Sequence, residues 1–339
     1  MSLSELWFGL FVLVIAGYLI LDGFDFGVGI VHLIVARKDE ERRMVLNSIG
    51  PVWDGNEVWI VLGGGVLFAA FPPVYASLFS GFYLAFVLVL LVMILRTVAI
   101  EFRSKRASRG WRQVWDLVFS ISSLVLALML GVAFGNIIAG VKLDQNGNID
   151  ESLIDLLNPF ALLIGVTGVA MFAVHGLLFL AVKTTGELEE RVRRYTPVAL
   201  IIFFVLVNAA VIDNALTQDE IRDRYLDEYW PLVFPAGALI SFVACLLLIR
   251  AKKDFYAFMA SSVTIGLLLI SGAVGMWPNL LISSIDESYN LTLHNSAAAD
   301  NSLTVMLVAA AIGIPLILLY TSGVYYFFRG KVELGPDSY

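Results

Sequence analysis

The chain has 339 residues, of which 59 % are hydrophobic and only 15 % charged, with 23 Phe, 12 Tyr and 7 Trp. A soluble domain of this length needs about a quarter of its residues charged to cover its surface, so the composition argues against one. The net charge of −7 speaks against a nucleic-acid partner, and the single cysteine, Cys245, excludes an internal disulfide and any multi-cysteine metal site.

Apolar runs long enough to cross a bilayer recur from end to end, which predicts one all-α, polytopic membrane domain over 1–339. The first run, roughly 6–31, follows "MSLSEL", which carries an acid and no Lys or Arg. It is longer than a signal-peptide core and reads as a retained span. The second (about 52–72) and third (about 75–100) are joined by "FPPVYA", whose prolines break the helix and permit a tight reversal. Six more follow, at about 114–140, 158–183, 197–214, 231–249, 255–276 and 304–328. Each approaches or exceeds the roughly 20 residues a spanning helix needs, and backbone groups without partners in lipid make helices the expected form. Spacings such as Gly23 with Gly27, Gly131 with Gly135, and Gly63-Gly64-Gly65 suit close helix packing. There is no strong internal repeat.

Lys and Arg give the direction. With nine spans, eighteen of the 22 basic residues fall on one side, from Arg37, Lys38, Arg42 and Arg43 to Arg329 and Lys331. Lys142, Arg222 and Arg224 fall on the other, and Arg96 stays inside a span. The expectation is a cytoplasmic C-terminus and an outside N-terminus. The outer segments are acidic: Asp219, Glu220, Asp223, Asp227 and Glu228 precede the seventh span.

Applied to the polar residues, that direction gathers them. Asp22 and Asp25 lie near the inner end of the first span, and Asp54 and Glu57 near the inner start of the second. Each pair is three residues apart and shares a helix face. Arg96, Glu101 and Asp116 lie at the same depth, with His175 in the inner third of the fifth span; Asp213 is the exception. A carboxylate at a helix centre costs roughly 2.5–3.5 kcal/mol on insertion scales. These acids are either interfacial groups, facing water or paired with Arg96, or members of a proton path opening to the cytoplasm. Four on consecutive spans favour the path, since closely placed, partly buried carboxyls can rest protonated and pass the proton on. Gly23 and Gly55 beside them leave room for water.

Of the three histidines, His32 lies at an inner span end and His294 in an outer loop, so neither pairs readily with His175 across one haem. His175 reads as a polar helix–helix contact, with a relay role as the alternative. No P-loop, GxGxxG or HExxH motif is present. On these residues alone a proton-coupled secondary transporter is the natural reading, with a structural scaffold as another.

The runs "LDGFDFGVG", "NSIGPVWDGNEVWIVLGGGVLFAAFPPVYASLFSGFYL", "LRTVAIEFRSK", "GVAFGNIIAGV" and "LNPFALLIGVTGVAMFAVHGLLFLAVKTTGELEERVRR" resemble subunit II of the cytochrome bd quinol oxidases. The resemblance is continuous over 5–195; beyond that it rests on hydropathy and span count. It implies two four-helix bundles (helices 1–4 about 6–140, helices 5–8 about 158–276) plus a peripheral ninth helix at about 304–328. It implies a bacterial cell membrane and a heterodimer with a subunit I that carries two haem b, haem d and the quinol-oxidising loop. The complex of that family reduces O2 to water, takes protons from the cytoplasm and releases quinol protons outside. Subunit II normally binds no haem; a bound quinone or lipid and a small single-span accessory subunit are further possibilities of the family. The resemblance places Asp54, the acid of "WDGN", on the proton route and Asp25 near it; the clustering of the four acids adds Glu57 and Asp22 as weaker members of the path. Trp59 matches a position linked with dioxygen access in some members.

Overall fold

A computed structural model of the chain describes residues 2–335. Twelve helices follow one another: α1 Leu3–Val35, α2 Asp39–Ile49, α3 Trp53–Ala70, α4 Pro72–Gly81, α5 Tyr83–Phe102 and α6 Arg109–Ala139, then α7 Pro159–Lys183, α8 Gly186–Thr217, α9 Asp219–Asp227, α10 Val233–Arg250, α11 Asp254–Met276 and α12 Asp300–Phe327. Two short strands, β1 Asn279–Leu281 and β2 Leu291–Thr292, pair antiparallel between α11 and α12. The first helix begins at a capping box: Glu5 N–H donates to Ser2 Oγ, and Ser2 N–H donates to Glu5 Oε2.

Among the described residues, eight helices are long and apolar enough to cross a membrane: α1, α5, α6, α7, α8, α10, α11 and α12. The protein is an all-α polytopic membrane protein. The second expected span, α3, is 18 residues long, about 27 Å at the usual helical rise. Asp54, Asn56 and Glu57 in its first turns hold it below the apolar character of the others.

The third expected span is not one helix. The chain breaks at Phe82 (φ −95, ψ 20), whose N–H donates to the carbonyls of Leu78 and Ser80. The Ile149 side chain from the α6–α7 connection sits where a Cβ on Gly81 would stand, so that loop packs on the break. The "FPPVYA" connection shrinks to one residue, the fully buried Phe71, and Pro72 and Pro73 open α4, where their missing N–H groups are not needed.

Helix α1 is central: it packs on α3, α6, α7 and α11. Helix α7 packs on α6, α8 and α11, and α10 on α11, whereas α12 touches chiefly α3 and α1. Only 6 % of the apolar window of α12 is buried, against 56 % for α7, which makes α12 peripheral. The α1–α7 crossing depends on glycine. A Cβ on Gly27 would run into the Phe172 carbonyl, and one on Gly176 into the Gly27 backbone. Gly131 and Gly135 likewise meet Gly165 and Ala161. Gly23 does not leave space for water as expected: a Cβ there would lie 2.6 Å from the Phe172 ring, which fills the position. Gly55 does stand in open space.

Charged side chains gather the helix ends that the alternating topology brings to one side. Lys38 donates to Glu187, Arg191 to Glu41, Arg193 to Asp254 and Arg103 to Asp39, and Lys183 donates to the Phe328 carbonyl. This is the basic end of the molecule.

Candidate functional site

Two acids one turn apart on α1 could not both stay in a helix core without partners, because desolvation of an unpaired carboxylate is costly. Asp22 and Asp25 are both fully buried, and the partners come from neighbouring helices. The guanidinium of Arg96 on α5, also fully buried, donates through Nη2 to Asp22 Oδ1 (3.3 Å) and through Nη1 to Glu57 Oε1 on α3 (2.7 Å). It lies over the Phe26 ring, 4.7 Å from its centroid.

Asp25 is held differently. Asn56 Nδ2 donates to Asp25 Oδ2 (2.7 Å) and to the Leu21 carbonyl (3.1 Å). The Tyr325 hydroxyl on α12 donates to Asn56 Oδ1 (2.9 Å). Asp22 Oδ2 and Asp25 Oδ1 have no hydrogen-bond partner among the described residues. Within the α1–α3–α5 seam two carboxyl groups therefore share one guanidinium, and a third is bound by a neutral amide.

The expected site residues are not equivalent. Asp22, Asp25 and Glu57 come together around Arg96 and Asn56. Asp54 was expected to be partly buried, but it is exposed in the first turn of α3 and makes no hydrogen bond or ion pair with the described residues. Asp54 and Glu57 share a face only to within one turn, and the rotation of α3 presents Asn56 and Glu57 to α1 and α5 instead. Trp59 packs its ring over Gly17, where a Cβ would lie 2.8 Å away, and so fills the α1–α3 seam. Sequence reasoning did not single out Asn56 or Tyr325. Asn56 lies inside the "WDGNEVW" run and was readable as a polar group one turn before Trp59; Tyr325 carries no local signal.

A second cluster lies nearer the basic end. Asp116 on α6 accepts from Arg103 Nε (2.5 Å) and from Arg42 Nη1 (3.0 Å), and its Oδ1 is 2.9 Å from His32 Nε2. Asp39 accepts from Arg103 and Arg112. These bonds tie α1, α2, α5 and α6 together, and the sequence had left His32 and Asp116 as separate features. Beside them Glu41 on α2 is nearly buried, which pushes its carboxyl up; the Arg191 guanidinium and the N–H groups of Arg37 and Lys38 outweigh that and hold it below the usual carboxylate range.

His175 is the helix–helix contact expected of it. Its Nδ1 is 2.7 Å from Ser261 Oγ on α11 and its Nε2 is 3.0 Å from the Ile20 carbonyl on α1, with the ring stacked on Phe258. Both ring nitrogens are thus engaged. His32 belongs to the Asp116 cluster through Nε2, with its Nδ1 unpartnered but the ring fully buried against Phe119, and His294 is exposed in the loop after β2. His175 and His32 thus do not fit a haem, which needs an imidazole with a free nitrogen facing an open slot. No group of three or more His, Cys, Asp or Glu placed to hold a metal ion occurs among the described residues.

Comparison with known proteins follows this geometry. The family model described as "Cytochrome bd terminal oxidase subunit II" matches residues 3–328. The chain is 36 % identical to the "Cytochrome bd ubiquinol oxidase subunit 2" of Bacillus subtilis (strain 168), with 98 % of this chain and 97 % of that one covered. It is 35 % identical to the "Cytochrome bd-I ubiquinol oxidase subunit 2" of Escherichia coli (strain K12), covering 97 % of this chain and 95 % of that one. In fold it is similar to a chain of the bd oxidase from Geobacillus thermodenitrificans, with a TM-score of 0.78 at 18 % identity over 97 % of this chain and 99 % of the other. A match that runs from the capped start of α1 to the end of α12, carried by relatives above one-third identity, assigns the family: the chain belongs to the cytochrome bd terminal oxidase subunit II family.

Proposed function

We propose that this chain works beside a haem-bearing subunit I in a quinol oxidase that reduces O2 to water, and that its own task is to carry protons from the basic end toward the partner. The observation that supports this best is a group of three carboxyls with one cation: Asp22 and Glu57 share the guanidinium of Arg96, and Asp25 is bound only by the neutral amide of Asn56. Such a site leaves negative charge uncompensated away from water, the setting in which a buried cluster takes up a proton. A secondary transporter is not favoured, because the family match covers residues 3–328.

The distribution of Lys and Arg supports a basic end in the cytoplasm and an N-terminus outside. In this reading Asp54, exposed and unpartnered, meets protons at the membrane boundary. Glu57 stands one turn further in, and Asp25 Oδ1 receives the proton while Asn56 holds Oδ2. Asp22 and Arg96 balance the charge. Contacts among α1, α3, α5 and α6 and among α7, α8, α10 and α11 suit the two expected bundles, with α12 outside them. The apolar outer faces of α3 and α5, with Val58, Val61, Leu84, Leu88, Leu91 and Ile94 exposed, are the surface proposed for subunit I. Haem b, haem d and quinol oxidation are placed in that partner, and lipid covers the remaining apolar faces.

The test is oxygen consumption per haem in membranes bearing Asp25→Asn. Asn keeps the shape and hydrogen bonds but carries no proton. Turnover per haem should fall with haem content unchanged; unchanged turnover would remove Asp25 from the path.

A further inference from the structure

A cavity of about 320 Å³ lies at the basic end, between the α2–α3 connection, the end of α7 and the segment that follows α12; Ser48, Phe179, Lys183, Tyr325, Lys331 and Glu333 contribute to its wall. Tyr325 belongs to two environments. Its ring lies in that wall and meets Phe24 edge-on, while its hydroxyl reaches 2.9 Å to Asn56 Oδ1. Asn56 is 1 % exposed, and its amide is fixed by three bonds: one accepted from Tyr325, and two donated, to Leu21 and to Asp25 Oδ2.

An amide in this position passes no proton itself, since it has neither a labile proton nor a charge to exchange near neutral pH. What it can do is decide which Asp25 oxygen is bound and which is available. The Leu21 carbonyl and Asp25 Oδ2 draw the Asn56 NH2 group toward α1 and Tyr325 anchors its oxygen from the other side, so Asp25 Oδ2 is occupied and Oδ1 is left without a partner among the described residues. Rotating the amide would set its oxygen against both the Leu21 carbonyl and Asp25 Oδ2, and would exchange the bond that the Tyr325 hydroxyl donates for one that it accepts.

We propose that Tyr325 is a positioning residue for the buried carboxyl: it locks Asn56 so that Asp25 presents Oδ1, and its ring separates that carboxyl from the basic-end cavity. This makes the last helix, otherwise almost unburied, a working wall of the site. The inference rests on the reading of Asp25 as a proton carrier.

The experiment uses the assembled complex in membranes carrying Tyr325→Phe, Asp25→Asn or Val332→Ala, with oxygen consumption per haem measured in H2O and in D2O. Val332 lines the same cavity without touching Asn56. Tyr325→Phe keeps the ring and loses only the hydroxyl. It should assemble with normal haem content, lose roughly tenfold in turnover through misplacement of the carboxyl, and show a larger solvent isotope effect than the unmodified complex. Val332→Ala should match the unmodified complex. If Asp25→Asn is slow but Tyr325→Phe has normal turnover and isotope effect per haem, the role of Tyr325 is overturned and the carrier reading stands. If Tyr325→Phe lowers only the amount of complex, or if Val332→Ala reproduces its loss, the positioning role is likewise overturned. If Asp25→Asn turns over normally, the carrier reading itself fails.

Discussion

Asn56 Nδ2 donates to Asp25 Oδ2 over 2.7 Å, joining the first turn of α3 to the middle of α1. This bond puts a neutral donor, not a cation, on one of the two fully buried acids of the site. Arg96 meanwhile serves Asp22 and Glu57. The cation thus serves one pair of acids and the neutral amide the third.

Arg96→Gln should be far more harmful than its single charge suggests. It would leave Asp22 buried without its cation and Glu57 without its donor. Breaking a buried pair from one side costs about 3–5 kcal/mol. The expected outcome is loss of assembled complex, read as haem recovered from membranes, together with a lower Tm of what remains. An Arg96→Gln complex with normal yield and Tm would contradict the pairing.

Gly27→Val should prevent assembly, because its side chain would enter the Phe172 backbone at the α1–α7 crossing. A penalty of about 3 kcal/mol, the top of the usual overpacking range, is expected. Gly64→Ala, with nothing within 4 Å of the added carbon, should be close to neutral. Yield and thermal stability in detergent compare the two.

Glu41 gives a pH dependence with a defined sign. Its carboxyl lies below the usual range in the folded protein, held there by Arg191 and by the Arg37 and Lys38 N–H groups against the opposing effect of burial. The stabilisation is therefore complete above the ordinary glutamate pKa of about 4.3 and is lost as pH falls through the lower folded value. The Tm difference between the unmodified protein and Glu41→Gln should be largest near neutrality and shrink on acidification. A difference that grows as pH falls would contradict the assignment.

The purified chain without its partner should bind no haem. The nitrogens of His175 are both engaged, and His32, tied to Asp116 through Nε2, is fully buried. A stoichiometric haem spectrum from the isolated chain would require those contacts to be broken.

Hydropathy and the scarcity of charge made the helical membrane fold legible, because the cost of burying a charge in lipid restricts where charges can stand. The break at Phe82 was not legible, because it depends on Ile149 packing against Gly81 from a distant loop. Asp54 and Glu57 looked equivalent in spacing, yet the rotation of α3 about its axis exposes one and turns the other to Arg96. Tyr325 stands 269 positions from Asn56, and no local pattern announces a contact of that range.

The most direct test of the central claim is oxygen consumption per haem in complexes carrying Asp54→Asn, with haem content measured alongside. Asp54 has no hydrogen bond or ion pair with the described residues, so its replacement removes no internal support and a structural explanation has little to act on. Asp54→Asn should keep normal haem content with turnover per haem cut by about a hundredfold, the usual contribution of an acid–base group, and Asp54→Glu should retain part of the turnover. Near-normal turnover per haem in Asp54→Asn would contradict the claim.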